Sequence, residues 1–149
     1  MHPYIAVLQT YLRALGESDY PTIKGLFAPS GRVHSPFLGE MGAAPFFDRL
    51  GGATSRNVIT PIDLFLSATG KPHATAYFQY DWTVRDGTFI TFKVMDLFTF
   101  APLSDQATNH AGDPTDGNAG RETSPKVIQL DLIYDTHPIR VSAGNKYEA

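Results

Sequence analysis

The sequence contains no cysteine, which removes disulfides, thiol nucleophiles and every cysteine-ligated zinc site. That composition fits a reducing compartment, and the cytoplasm is the expected location. Lysine and arginine never cluster, and the formal net charge is -3, so no nucleic-acid footprint is present. No segment reaches the roughly 18 apolar residues of a membrane helix. The opening stretch "MHPYIAVLQTYLRALG" lacks the basic start and unbroken apolar run of a signal peptide. Glycines form no phosphate-cradling loop. Histidines are scattered, so neither a metal site nor a cofactor is expected.

What is present suits one domain with a real core: 149 residues, 42% hydrophobic and 12% aromatic. Ile5, Leu8, Leu12 and Leu15 recur at helical spacing, flanked by Tyr4 and Tyr11, and predict a helix over 3–15. Pro3 suits its first turn and Gly16 its stop. "SDYPTIKGLFA" predicts a second helix over about 19–28, capped by Ser18 or Asp19, with Ile23, Leu26 and Phe27 buried. "PSGRVHSPFLG" reads as a turn, a short strand around Val33 and another turn. "GAAPFFDRLGG" predicts a third helix over 43–50.

From residue 57 the period becomes two. Val58, Ile62, Leu64 and Leu66 fall on one face of the first strand. Phe78, Tyr80, Trp82 and Val84 fall on one face of the second. "RDGT" is a two-residue hairpin signal that folds this strand back onto 88–100. "KVIQLDLIYD" alternates again, with Ile128, Leu130, Leu132 and Tyr134 together. Three helices followed by four consecutive antiparallel strands predict an α+β fold, a sheet covering a helical layer. No repeat or domain linker appears. Residues 103–125 are long, polar and rich in turn formers, and read as a mobile loop or as a lid or partner-binding loop.

One residue breaks the apolar pattern. In "FITFKVMDLFTF" a single strand face carries Ile90, Phe92, Val94, Asp96, Phe98 and Phe100. A carboxyl group on such a face must be paired, neutralised or used. A bulge, or pairing with Lys93 or an arginine, would give Asp96 a purely structural role. Alternatively, desolvation keeps it protonated, so that it donates a hydrogen bond to a substrate oxygen. Tyr11, beside the apolar stripe of the first helix, also needs a partner if buried. Together the two would form an oxyanion hole that stabilises an enolate without metal or cofactor.

Here the chain resembles a family. "TYLRALGESDYPTIKGLFAPSGRVHSPFLGE", "APFFDRL", "KVMDLFTF" and "KVIQLDLIYD" occur in the order and spacing of the ketosteroid isomerase branch of the NTF2-like, or SnoaL-like, superfamily. The resemblance covers most of residues 3–100 and 126–135. It implies a curved antiparallel sheet around three helices, a conical pocket and a homodimer through the outer sheet face. It also implies that Tyr11 and Asp96 are the oxyanion-hole pair; the family is itself the well-known example of a carboxylic acid kept neutral by its apolar site. In place of the family's base carboxylate stands Ser35, in "VHSP", and a serine hydroxyl takes no proton at neutral pH unless another base activates it. His34 next door has a pKa suited to base work, although strand alternation points it away from Ser35.

Other members of the superfamily supply comparisons. Val94 and Leu132 stand where the limonene epoxide hydrolase type needs an arginine and a carboxylate, which argues against that chemistry. His34 with Asp96 could serve as the acid–base pair of a polyketide cyclase. Tyr80, Trp82, Phe98 and Tyr134 are either pocket lining or sheet core. Asp135, His137 and Arg140 gather beyond the last strand, where a salt bridge or dimer contact is the plainer reading, and His110 lies in the polar loop. The expected function is cofactor-free enolisation or isomerisation of a small apolar carbonyl compound, steroid or polyketide-like. The alternatives are a non-catalytic ligand-binding or scaffold domain, and cyclase-like aldol chemistry.

Overall fold

A computed structural model describes residues 1–102 and 124–142 of the chain, with side chains described through residue 140. Helix α1 spans Pro3–Gly16. His2 caps it by accepting the Tyr4 N–H at 3.1 Å, and Pro3 occupies the first turn, where no amide donor is needed. Its buried side is Val7, Leu8, Tyr11, Leu12, Ala14 and Leu15, so the stripe is rotated from the expected one and Tyr11 lies within it. Ser18, at φ 56, turns the chain, and Asp19 caps α2 by accepting the Thr22 N–H at 3.2 Å.

Helix α2 is only Tyr20–Gly25, shorter than expected. Pro29 disfavours helix at Ala28, and the Leu26 carbonyl instead accepts the Val127 N–H at 3.0 Å. Phe27 therefore opens a strand, β1, Phe27–Ser35, followed by the short β2, Gly39–Gly42. Helix α3 is Ala43–Ala53, burying Phe46 and Phe47. Then come β3, Thr54–Leu66, β4, His73–Val84, β5, Phe89–Phe100, and β6, Val127–Tyr134. A fourth helix not foreseen from the sequence, α4, spans His137–Ser142, with the Asp135 carboxylate accepting the His137 N–H at its start.

One six-stranded sheet results, in the order β2-β1-β6-β5-β4-β3. The last four strands pair antiparallel as expected, but β1 runs parallel to β6 and joins the sheet through it. The β4–β5 hairpin has a three-residue loop, Arg85–Gly87, rather than two. Val84 N–H donates to Thr88 O, and Gly87 adopts φ 92, which glycine tolerates without strain.

Edge strand β3 departs most from its expected pattern. Its register slips between Pro61 and Asp63, and the inward residues are Asn57, Ile59 and Leu64. Val58, ahead of the slip, faces outward opposite Asp81, and Ile62 at the bulge is exposed; Leu66 pairs with inward Ala74 and is exposed at the strand end. In β5 the even-numbered residues face the helices, and the core gathers there around Phe47, Phe78, Phe98, Leu8, Leu15 and Leu130. Residues 103–123, which include His110 and most of the expected polar loop, fall outside the described residues.

Candidate functional site

Strand alternation places Asp96 on the inner row of β5 between Val94 and Phe98. Across the ladder it faces Ala76 of β4 and Leu132 of β6. Small Ala74 and Ala76 are fully buried beside it, and α1 packs over β4. That arrangement lets Tyr11 reach across. Its hydroxyl donates to Asp96 Oδ2 at 2.8 Å. The Tyr11 ring is fixed edge-on against Phe98, with centroids 4.9 Å apart, and against Phe47 at 6.3 Å. Asp96 is therefore paired neither by Lys93 nor by an arginine, and its strand position is regular.

Asp96 is 1% exposed, and burial pushes its carboxyl up to about 7, partly offset by the Tyr11 hydrogen bond. Burial and the neighbouring Asp96 charge drive the Tyr11 hydroxyl well above its usual value, so Tyr11 remains a donor. Asp96 Oδ1 has no hydrogen-bond partner among the described residues. Asp96 and Tyr11 together form part of the wall of a cavity of about 200 Å³.

The rest of that wall is almost wholly apolar. Strand β4 contributes Phe78, Tyr80 and Trp82, and strands β5 and β6 contribute Phe92, Val94, Leu132 and Tyr134. Trp82 Nε1 donates to Thr54 Oγ1 at 2.9 Å, and that hydroxyl donates to Leu50 O at 2.6 Å, which pins the indole. Phe92 stacks on Tyr80 at 5.5 Å and tilts against Tyr134 at 5.0 Å. Phe98 is fully buried core behind Tyr11 and does not line the cavity.

Ser35 and His34, adjacent in sequence, part company. Ser35 is 2% exposed and lines the cavity, but its Oγ accepts the N–H groups of Phe37 and Leu38, both at 3.1 Å. It is the lock of a turn. It also neighbours the Tyr134 hydroxyl, whose pKa burial raises and Ser35 tempers. His34 points to the other side of β1, exposed, with Nδ1 3.9 Å from Asp131 Oδ1. It therefore does not reach the cavity, either as a partner for Asp96 or as a base beside Ser35.

Lining residues that carried no functional reading in the sequence include Phe37, Leu38, Arg49 and Ile139. An apolar pair inside a proline- and glycine-flanked turn was the available signal for the first two. Ile139 arrives on α4, and Arg49 on the exposed side of α3. No group of three or more His, Asp or Glu able to hold a metal ion occurs among the described residues. Among those residues, no helix is long and apolar enough to cross a membrane.

No protein-family model matches the chain, and no curated protein matches it. Solved structures do. An NTF2-like protein of unknown function from Burkholderia pseudomallei is 14% identical, with TM-score 0.66, covering 93% of this chain and 95% of that one. AclR, a putative hydroxylase from Streptomyces galilaeus, is 12% identical, with TM-score 0.65 and coverages of 97% and 82%. An LEH-like epoxide hydrolase of M. tuberculosis is 11% identical, with TM-score 0.61 and coverages of 91% and 85%. At these identities the likeness is one of fold, and by it this chain has the NTF2-like, or cystatin-like, α+β fold.

Proposed function

We propose that the chain is a cofactor-free, small-molecule enzyme of the ketosteroid isomerase or SnoaL kind, acting on an apolar carbonyl compound through its enol form. The observation that carries this reading is the Tyr11–Asp96 pair, buried in the wall of an apolar cavity with Asp96 Oδ1 unengaged. In its protonated form Asp96 donates from Oδ1 to the substrate oxygen. The Tyr11 hydroxyl holds Oδ2 and withdraws charge from the carboxyl, which strengthens that donation. As the α-proton leaves, negative charge grows on the substrate oxygen, where a dry site makes a fixed donor most effective. The α-proton passes to water or to a basic group of the substrate, since Ser35 is tied to two backbone amides and His34 is outside.

Neighbours of this fold include a putative hydroxylase and an epoxide hydrolase, so the fold alone selects no chemistry. The epoxide hydrolase type is disfavoured by Val94 and Leu132, apolar where charged groups are needed. The second reading, a ligand-binding or scaffold domain, is favoured by the turn-locking role of Ser35, which leaves no carboxylate base in the cavity.

A phenol mimics the enol, and 2-naphthol is a suitable probe. Its affinity, read by fluorescence titration, should fall roughly tenfold or more in Asp96→Leu and in Tyr11→Phe, and only modestly in Asp96→Asn. All three variants should stay folded, because none opens a large cavity. If 2-naphthol fails to bind, or binds all of them equally, the scaffold reading stands instead.

A further inference from the structure

Away from Asp96, the same cavity has a second polar region that the proposed reaction does not use. Tyr80 lies on the inner row of β4, opposite Phe92 on β5. Phe92 precedes Asp96 by four residues, so the two backbone sites are roughly 13 Å apart along the strand. Tyr80 is 7% exposed, lines the cavity, and its hydroxyl has no hydrogen-bond partner among the described residues. Thr54 Oγ1 lies close enough to temper the Tyr80 pKa, while its own hydrogen bonds run to Leu50 O and from Trp82 Nε1.

Tyr80 is not an isolated case. Asn57, inward on β3, faces Trp82 and so sits diagonally to Tyr80; both polar atoms of its amide are buried and unpartnered. The Tyr20 hydroxyl, close enough to Tyr80 to raise its pKa, is buried and unpartnered too. A buried hydroxyl or amide forfeits the hydrogen bonds it would make in water, so such groups are scarce in a core. Sheet register and packing bring these groups near one another, and of the three it is Tyr80 that lines the cavity. A phenylalanine at position 80 would line the wall equally well without that cost.

We infer that the cavity takes an apolar ligand with two separated oxygen functions, a bis-oxygenated aromatic or diketone, one held by Asp96 and Tyr11 and the other by the Tyr80 hydroxyl. This rests on the reading of the Tyr11–Asp96 end given above and adds a specificity residue to it. Tyr80 keeps its proton because burial drives its pKa far up, so it offers a donor to a second carbonyl or an acceptor to a second hydroxyl. Monofunctional ligands of the same shape leave Tyr80 unengaged.

The test compares 2-naphthol with 1,5-, 2,6- and 2,7-dihydroxynaphthalene on the intact protein, by calorimetry or fluorescence titration. At least one diol should bind tenfold or more tighter than 2-naphthol. In Tyr80→Phe the ratio of the two affinities should collapse to about one. Thermal melting of the same variant should show no loss of stability, since the hydroxyl removed makes no hydrogen bond within the described protein. If 2-naphthol binds and no diol gains, or if Tyr80→Phe leaves the ratio intact, the second oxygen site is overturned. If 2-naphthol itself does not bind, the Tyr11–Asp96 reading fails, and this inference falls with it.

Discussion

Asp96 holds its proton to a higher pH than an exposed carboxyl does, and the sign of the consequence follows. Its carboxyl titrates near 7 when folded, against 3.8 for an ordinary aspartate. Below pH 3.8 both states are protonated and the burial is not penalised. As pH rises from there through 7, the unfolded chain releases the proton first and stability is lost, on the order of 4 kcal/mol in all. Asp96→Asn has no such proton, so its stability relative to the natural protein should improve between pH 4.5 and 8.5, as read by urea unfolding. A neutral aryl ketone such as 2-acetylnaphthalene needs the protonated form, so its affinity should drop about tenfold per pH unit above 7. Asp96 was legible in sequence because a charge interrupts an alternating apolar row, and Tyr11 because it borders a helical stripe. The structure brings these two together at 2.8 Å. What Ser35 does was not legible, because its partners are backbone amides, which carry no sequence signal.

Single elements explain where sequence pattern and structure part. The β4–β5 hairpin was readable because period-two alternation continues on both sides of an Asp-Gly turn. Strand β3 was read as one continuous face because its slip at Pro61–Asp63 leaves no mark in a list of apolar residues, which misplaced Val58 but not Leu64. Helix α2 was drawn too long because Leu26 and Phe27 suit a helical stripe and a strand equally, and only pairing with Val127 decides between them. The turn after β1 shows how a small element governs the site. Ser35→Ala leaves the Phe37 and Leu38 amides without their acceptor and should cost about 1 kcal/mol, measurable by chemical unfolding. It should also loosen the Phe37–Leu38 wall and weaken naphthol binding. Ser35→Asp keeps an acceptor for the turn, so the turn should hold, while its buried carboxyl should carry a cost that grows with pH as that of Asp96 does.

For the molecule as a whole, the outer sheet face carries apolar side chains that the core does not use. Thr91, Lys93, Met95, Leu97 and Thr99 point outward on β5, and Met95 is 37% exposed. Exposed Val58, Phe65 and Ile133, on β3 and β6, add to the apolar surface. We propose a homodimer through this face. Light scattering at micromolar concentration should give twice the 16.3 kDa chain mass, and a single-chain mass would count against the interface. The sheet order has a temporal consequence as well. Strand β6 lies between β5 and β1, and Phe27 finds its partner at Val127, one hundred residues on. Until the ribosome has delivered β6, the β1–β2 ribbon has no neighbour in the sheet and β5 keeps an open edge. Pairing at such separation makes folding slow by loop-closure entropy and late by necessity. The pocket wall contributed by Leu132, Tyr134 and, on α4, Ile139 is thus the last to arrive, so the nascent chain cannot complete the cavity before the sheet is closed.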